Sequence, residues 1–269
     1  MSPLEETLLR LGTAADRLSF VAWPRHRAVP APRLIRQRAE LAGAVEAFGR
    51  SVGTRDGAVA ASLFGQAWTV SATRAAIACL SGERRVPDVA AANSVLLIDA
   101  TGRPAGVMLK APRFVAVAGD RAASDPSAEV VPDTDALFAW TRRQLFDRHL
   151  GPLVDALHDL VPVGRRLLWG NVAAACAGGF AALSGTAIDP ERLMADAAAL
   201  LDSDDAPTCG LAQLFPVEHA GGTRLFVRRE TCCLFYRLPD APPWCLSCRL
   251  LSEPERLRRI TLRLEAATA

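Results

Sequence analysis

Residues 57–80 read GAVAASLFGQAWTVSATRAAIACL, and this stretch decides the fold. It is long and built of small residues. It predicts one helix, or a helix pair, that packs closely because Ala and Gly let backbones approach. Gly82 and Pro87 are expected to stop it. Upstream, residues 4–18 and 33–49 have helical spacing, with Leu34, Leu41, Val45 and Phe48 recurring at three, four or seven positions. The Pro-rich connector between them, Pro24 to Pro32, reads as a surface loop.

Downstream the texture changes. SVLLID at 94–99, a turn at 100–103 and residues 105–109 read as a β-hairpin, with RFVAVA at 113–118 as a third strand. The polar stretch 119–132 reads as a loop. Helix returns at Asp133 or Thr134, either of which can cap a run holding Leu137, Trp140, Leu145 and Phe146. A second piece, 150–160, follows a Gly151–Pro152 break. An Ala-rich helix from about 165 and a helix near Asp189–Pro190 come next, the latter with Pro in its preferred first turn. Residues 223–229 and 233–238 then alternate like two strands, and Ser252 caps a final Arg-rich helix at about 253–265.

Helices and strands are thus segregated, which argues for an α+β fold. The expected architecture is a helical body with a small antiparallel sheet (hairpin at about 94–118) and a C-terminal β-rich segment ending in a helix. The expected division is 1–222 and 223–269. The second part holds Leu225, Phe226, Val227, Leu234 and Phe235, too few apolar residues for its own core, so it should pack on the first.

The chain has 269 residues, 50% of them apolar and 22% charged, the composition of a folded globular protein. Its net charge of +2 gives no strong field toward nucleic acid or an acidic membrane. Lys110 is the only lysine, and it reads as structural. The start, MSPLEETLLRLG, is acidic and amphipathic rather than a secretory signal. A cytoplasmic location follows as the expectation. There, paired cysteines seldom form disulfides. Leu167–Leu183 approaches the length of a membrane span, but its Ala, Gly and Asn171 make it a buried helix of the body, with peripheral membrane association at most.

Four of the seven cysteines, Cys232, Cys233, Cys245 and Cys248, fall within 17 residues as C-C-x11-C-x2-C. Four thiolates so close are a metal or cluster site before anything else. The Cys245–Cys248 pair suits one metal because a tight turn brings both sulfurs to one point. The vicinal pair is harder: on a regular strand its side chains point to opposite faces. Both reach one centre only if the backbone bends there. A [2Fe–2S] rhomb spreads four ligands over two irons and tolerates this better than one tetrahedral Zn2+. A zinc site and a vicinal Cys232–Cys233 disulfide remain the other two readings. Cys79, Cys176 and Cys209 read as inert packed thiols.

ETCCLFYRLPD (230–240) followed by WCLSC (244–248) resembles the C-terminal iron–sulfur motif of the FhuF-like ferric-siderophore reductases. Arg229, Cys232, Cys233, Tyr236, Arg237, Cys245 and Cys248 fit that motif's positions. RRLLWGNVAAACAGG (165–179) is similar to a Leu-Trp-x-Asn element of the family, and SLFGQAWTVSATR (62–74) resembles its N-terminal helix. The chain departs from the pattern in its eleven-residue gap, where ten is usual, and in Cys-Leu-Ser-Cys, which lacks the common Gly-Asp. The loop Asp240–Trp244 is expected to absorb the extra residue. The resemblance implies a cytoplasmic oxidoreductase with a [2Fe–2S] cofactor. Its substrate would be a ferric siderophore, and its electron donor ferredoxin-like or flavin-reductase-like. The other readings are a zinc- or cluster-binding module without redox work, and a helper that binds or assembles siderophores.

No catalytic triad or phosphate loop is visible, and the four histidines, His26, His149, His158 and His219, are dispersed. His149 and His158 read as structural and His219 as a loop residue. Arginines crowd the cysteines: Arg224, Arg228, Arg229, Arg237 and Arg249, then Arg256, Arg258, Arg259 and Arg263. They read either as a basic face for an anionic chelate or acidic donor, or as a solvated surface. Arg237, Arg229, Arg249 and Trp244 are the candidate substrate contacts. Trp244 reads either as a shield for the cluster or as ordinary packing.

Overall fold

The computed structural model describes residues 1–220, 222–240 and 244–268. It is an α+β fold, as the segregation of helices and strands predicts. The chain opens with α1 (Pro3–Leu11), a 3-10 turn at Gly12–Ala15, β1 (Leu18–Ser19) and β2 (Arg27–Pro30). Next come α2 (Ala31–Arg36), α3 (Arg38–Ser51) and α4 (Gly57–Glu83). α4 is a single helix. Asp56 caps it by accepting from the N–H groups of Ala58 and Val59. It runs through Gly82 and ends at Arg84, which turns left-handed at φ 53 and pairs with Asp196. Gly82 is therefore a packing residue against Leu11 and not the expected stop.

β3 (Arg85–Pro87), β4 (Ser94–Ile98), β5 (Pro104–Leu109), β6 (Phe114–Val117) and β7 (Ala128–Val131) follow. The β4–β5 hairpin stands where the sequence puts it. It lies inside a four-stranded sheet of order β1-β5-β4-β2, in which β1 runs parallel to β5. β6 belongs to a separate sheet, β3-β6-β7, parallel to β7. The sheets are thus mixed, and two stretches expected to be loops contribute strands: β2 from the Pro-rich connector and β7 from residues 119–132.

α5 (Thr134–Arg142), a π-helical segment (Arg143–Leu150) and α6 (Gly151–Leu160) join without the break expected at Gly151–Pro152. The wider π turn hands the Gly151 N–H to Phe146 and lets Pro152 enter as a first-turn residue. α7 (Arg165–Leu183) and α8 (Pro190–Leu201) complete the body, and β8 (Ala212–His219) pairs with β9 (Gly222–Arg229) in a hairpin spanning residues 222 and 223. α9 (Glu253–Thr268) closes the described chain.

α4 is the axis of the core, with Phe64, Trp68, Ile77 and Leu80 fully buried. α7 packs along its length, with α3 and β5 on other sides. Among the described residues, α7 has the length and apolarity to span a membrane, and half of its apolar window is buried in the protein. β9 packs across α7 and carries the chain to the cysteines.

Candidate metal centre

Two helices and one strand build the platform. Ser62 and Gln66 lie on α4, Asn171 on α7 and Arg229 at the end of β9. Asn171 Nδ2 donates to the carbonyl and to Oγ of Ser62, both at 2.9 Å. The Ser62 hydroxyl donates to the Cys233 carbonyl at 2.8 Å. The Arg229 guanidinium donates to Asn171 Oδ1 and, at 3.1 Å, to Gln66 Oε1. Its backbone N–H donates to the Ser247 carbonyl at 3.0 Å. Both halves of the cysteine segment are thereby tied to the helical body. Arg229 is 2% exposed, so it anchors this segment and does not offer the open substrate contact expected of it.

Gly170 explains the close approach. A Cβ at that position would lie 1.8 Å from Thr231 Oγ1, so only glycine admits the residue preceding Cys232. Beyond Cys233 the backbone turns sharply, with Leu234 left-handed at φ 65 and its N–H donating to Cys232 Sγ at 3.4 Å. This is the bend a vicinal pair needs. It is also why residues 233–238 form irregular chain with a 3-10 turn at Phe235–Arg237 and not the expected strand.

The second pair is closed by a turn, Cys248 N–H to the Cys245 carbonyl at 2.9 Å. Arg256, on α9 and 1% exposed, braces it from within. Its guanidinium donates to the carbonyls of Leu246 (2.6 Å), Cys248 (3.0 Å) and Leu251 (3.1 Å). Cys245 Sγ lies 3.4 Å from Ser247 Oγ. The expected accommodation of the extra residue falls at 241–243, outside the described residues.

All four cysteines are free thiols. Burial pushes the Cys248 thiol up. A hydrogen bond from the Leu250 backbone opposes this, and the charges of Cys245, Cys233 and Cys232 add to the rise. Among the described residues no three such side chains are yet drawn into one coordination sphere. The donor set, the bend at Leu234 and the two arginine braces fit a cluster site.

The other cysteines divide. Cys79 and Cys176 are buried, and burial raises both, Cys176 to about 12. Cys209 is exposed and not packed as expected. His149 is buried between Trp68 Nε1 (3.0 Å) and the Val89 carbonyl (2.5 Å), and His158 caps onto the Val163 carbonyl at 2.7 Å. His219 ends β8 and is not a loop residue. Lys110 donates to the Ala92 carbonyl at 2.7 Å.

The arginines sort by partner. Arg237 is exposed and pairs with Asp56 at 2.8 Å, joining the cysteine segment to the cap of α4. Arg228 pairs with Glu230, and Arg258 and Arg259 with Glu255. Arg249 is exposed. Trp244 is 39% exposed, with its carbonyl held by Arg259, so it is not ordinary core packing. Sequence reasoning did not single out Ser62, Gln66, Thr231 or the brace from Arg256. Asn171 lay in the quoted Leu-Trp-x-Asn element, Ser62 and Gln66 in the quoted 62–74 stretch and Arg229 in the cysteine motif, the signals that pointed to this network.

No curated protein sequence matches the chain significantly. Among solved structures it is similar to aerobactin synthetase IucC from a hypervirulent pathotype of Klebsiella pneumoniae. The identity is 16% and the TM-score 0.50, over 68% of this chain and 33% of that one. This chain thus spans about a third of the synthetase, and the likeness is one of fold. Residues 62–230 match a family model described as "Ferric iron reductase FhuF-like transporter". That match covers more than half of the chain, including Ser62, Gln66, Asn171 and Arg229, and stops two residues before Cys232. The chain belongs to the FhuF-like family.

Proposed function

We propose that this protein is a ferric-siderophore reductase whose four cysteines, Cys232, Cys233, Cys245 and Cys248, hold a [2Fe–2S] cluster. What supports this reading is the C-C-x11-C-x2-C spacing of four free thiols directly after the family's matched region, whose residues build the platform beneath them. Such a cluster supplies a one-electron couple, with potentials open to tuning by hydrogen bonds and exposure.

The chain's own residues set the conditions. Arg256 and the Arg229 N–H hold the Cys245–Cys248 turn through its backbone, and the Ser62 hydroxyl holds the Cys233 carbonyl, so these supports use no sulfur. Leu234 N–H at Cys232 and Ser247 Oγ at Cys245 are donors positioned to tune sulfur basicity. The substrate Fe3+ accepts one electron and becomes Fe2+. Hard oxygen ligands hold Fe2+ far more weakly, so the ion leaves and the vacated oxygens take protons from water. A ferredoxin-like or flavin-dependent donor returns the electron. The reaction needs no nucleophile or general base, in keeping with the lack of a triad in the sequence. The place of action is the cytoplasm.

The test is a single turnover under anaerobic conditions. The reduced protein is mixed with a ferric siderophore and a ferrous-specific chelator. One Fe2+ trapped per electron stored supports the reading. Binding of the chelate without any Fe2+ would move the protein to the siderophore-binding or assembly-helper class.

A further inference from the structure

A cleft of about 530 Å³ lies between the C-terminal half of α7, β9, the Cys245–Cys248 loop and α9. Its size falls within the range of about 300–1,000 Å³ usual for small-molecule sites. Cys245 and Ser247 line it together with Arg224 and Arg229 of β9 and Arg263 of α9. Four of the surrounding arginines are neutralised, Arg228 by Glu230, Arg237 by Asp56, and Arg258 and Arg259 by Glu255, while Arg249 is exposed outside the cleft lining. Among the described residues, Arg224 and Arg263 have no carboxylate partner.

Two further observations mark a built site. Arg229, almost wholly buried, keeps one donor, Nε, without an acceptor. Buried donors are rarely left unpaired, and this one belongs to a residue of the cleft wall. Arg224 is held in place by Gly185, which turns at φ 90 just past α7. A Cβ there would fall 2.4 Å from the guanidinium carbon. The C-terminal end of α7 carries a partial negative charge of about half an elementary unit, which favours the guanidinium there without cancelling it.

We infer that this cleft receives the ferric chelate and selects chelates of net negative charge. Arg224 and Arg263 form its cationic rim, with the buried Arg229 adding its charge from beneath. This inference rests on the proposed reductase reading and gives it a substrate class. A chelate in the cleft lies against Cys245, one of the four proposed ligands.

Gallium(III) chelates separate binding from reduction, because Ga3+ copies Fe3+ in size and charge and takes no electron. The full chain, purified anaerobically, is titrated by calorimetry with the formally trianionic gallium tris-catecholate and the formally neutral gallium trihydroxamate. The anionic chelate should bind more tightly, and added salt should erode the difference. Arg224→Ala and Arg263→Ala should each weaken the anionic chelate by about tenfold at low salt, the loss of one charge-assisted contact. Gly185→Ala should mimic Arg224→Ala without changing the charge. Arg258→Ala, whose side chain already pairs with Glu255, should stay within about twofold of wild type. Equal affinity for the two chelates, wild-type binding by both rim variants, or no binding overturns the inference. If Fe2+ is still released in any of those cases, the reductase reading stands and only the cleft assignment fails. Charge-selective binding without reduction is the reverse.

Discussion

Asn171 shows how much one buried side chain carries. It spends both ends of its amide, donating to Ser62 on α4 and accepting from Arg229 on β9. Asn171→Ala leaves the buried guanidinium and the Ser62 oxygens short of partners. The expected cost is about 3 kcal/mol, read as a lower urea midpoint with an unchanged slope. Arg229→Lys should not restore it, because an ammonium lacks the fork that reaches Asn171 and Gln66 together. Gly170→Ala should be at least as damaging, and Thr231→Gly placed beside it should recover much of the loss.

His149 gives the same scale a pH signature. Burial lowers it to about 4, so the folded state keeps it neutral while the unfolded chain binds a proton below the ordinary value of 6.5. Its contribution is present above pH 6.5 and lost as pH falls toward 4. It amounts to a slope of about 1.4 kcal/mol per pH unit from this one group. The urea midpoint should fall through that window, and His149→Gln should flatten the decline between pH 6.5 and 5.

At the scale of elements, α4, α7 and the β4–β5 hairpin were legible because each is long or strongly patterned. β2 and β7 were not. Each is a four-residue strand with a single neighbour, β2 with one buried residue and β7 with none, too short for alternation to register. The apparent alternation at 233–238 misled because Leu234 leaves the extended region altogether. Arg229 was misread as a substrate contact because sequence cannot tell an exposed guanidinium from one folded under a neighbouring helix.

The cysteine segment makes two predictions as an element. Replacing Cys232, Cys233, Cys245 or Cys248 by Ser, one at a time, should bleach the cluster or sharply lower its occupancy. Cys79→Ala, Cys176→Ala and Cys209→Ala should leave the visible spectrum unchanged. Removing residues 223–269 should expose the face of α7 that β9 covers, and size-exclusion chromatography should then show aggregates. A truncated chain that stayed monomeric and melted cooperatively would make the segment an independent module.

At the scale of the molecule, the family's matched region supplies the platform and the residues after it supply the sulfur. Charge is distributed to suit that division. Among the described residues Arg228, Arg237, Arg258 and Arg259 are held by carboxylates, while Arg224 and Arg263 at the cleft, and Arg249 outside its lining, are not. The account stands on the four thiols holding a one-electron centre, and low-temperature EPR of the anaerobically purified chain before and after reduction tests it most directly. The account predicts a red-brown protein, silent when oxidised. On reduction it should give the spin-one-half signal of a [2Fe–2S] centre, integrating to one spin per chain at full occupancy and lost in Cys245→Ser. A colourless protein with one zinc per chain and no signal in either state would contradict it.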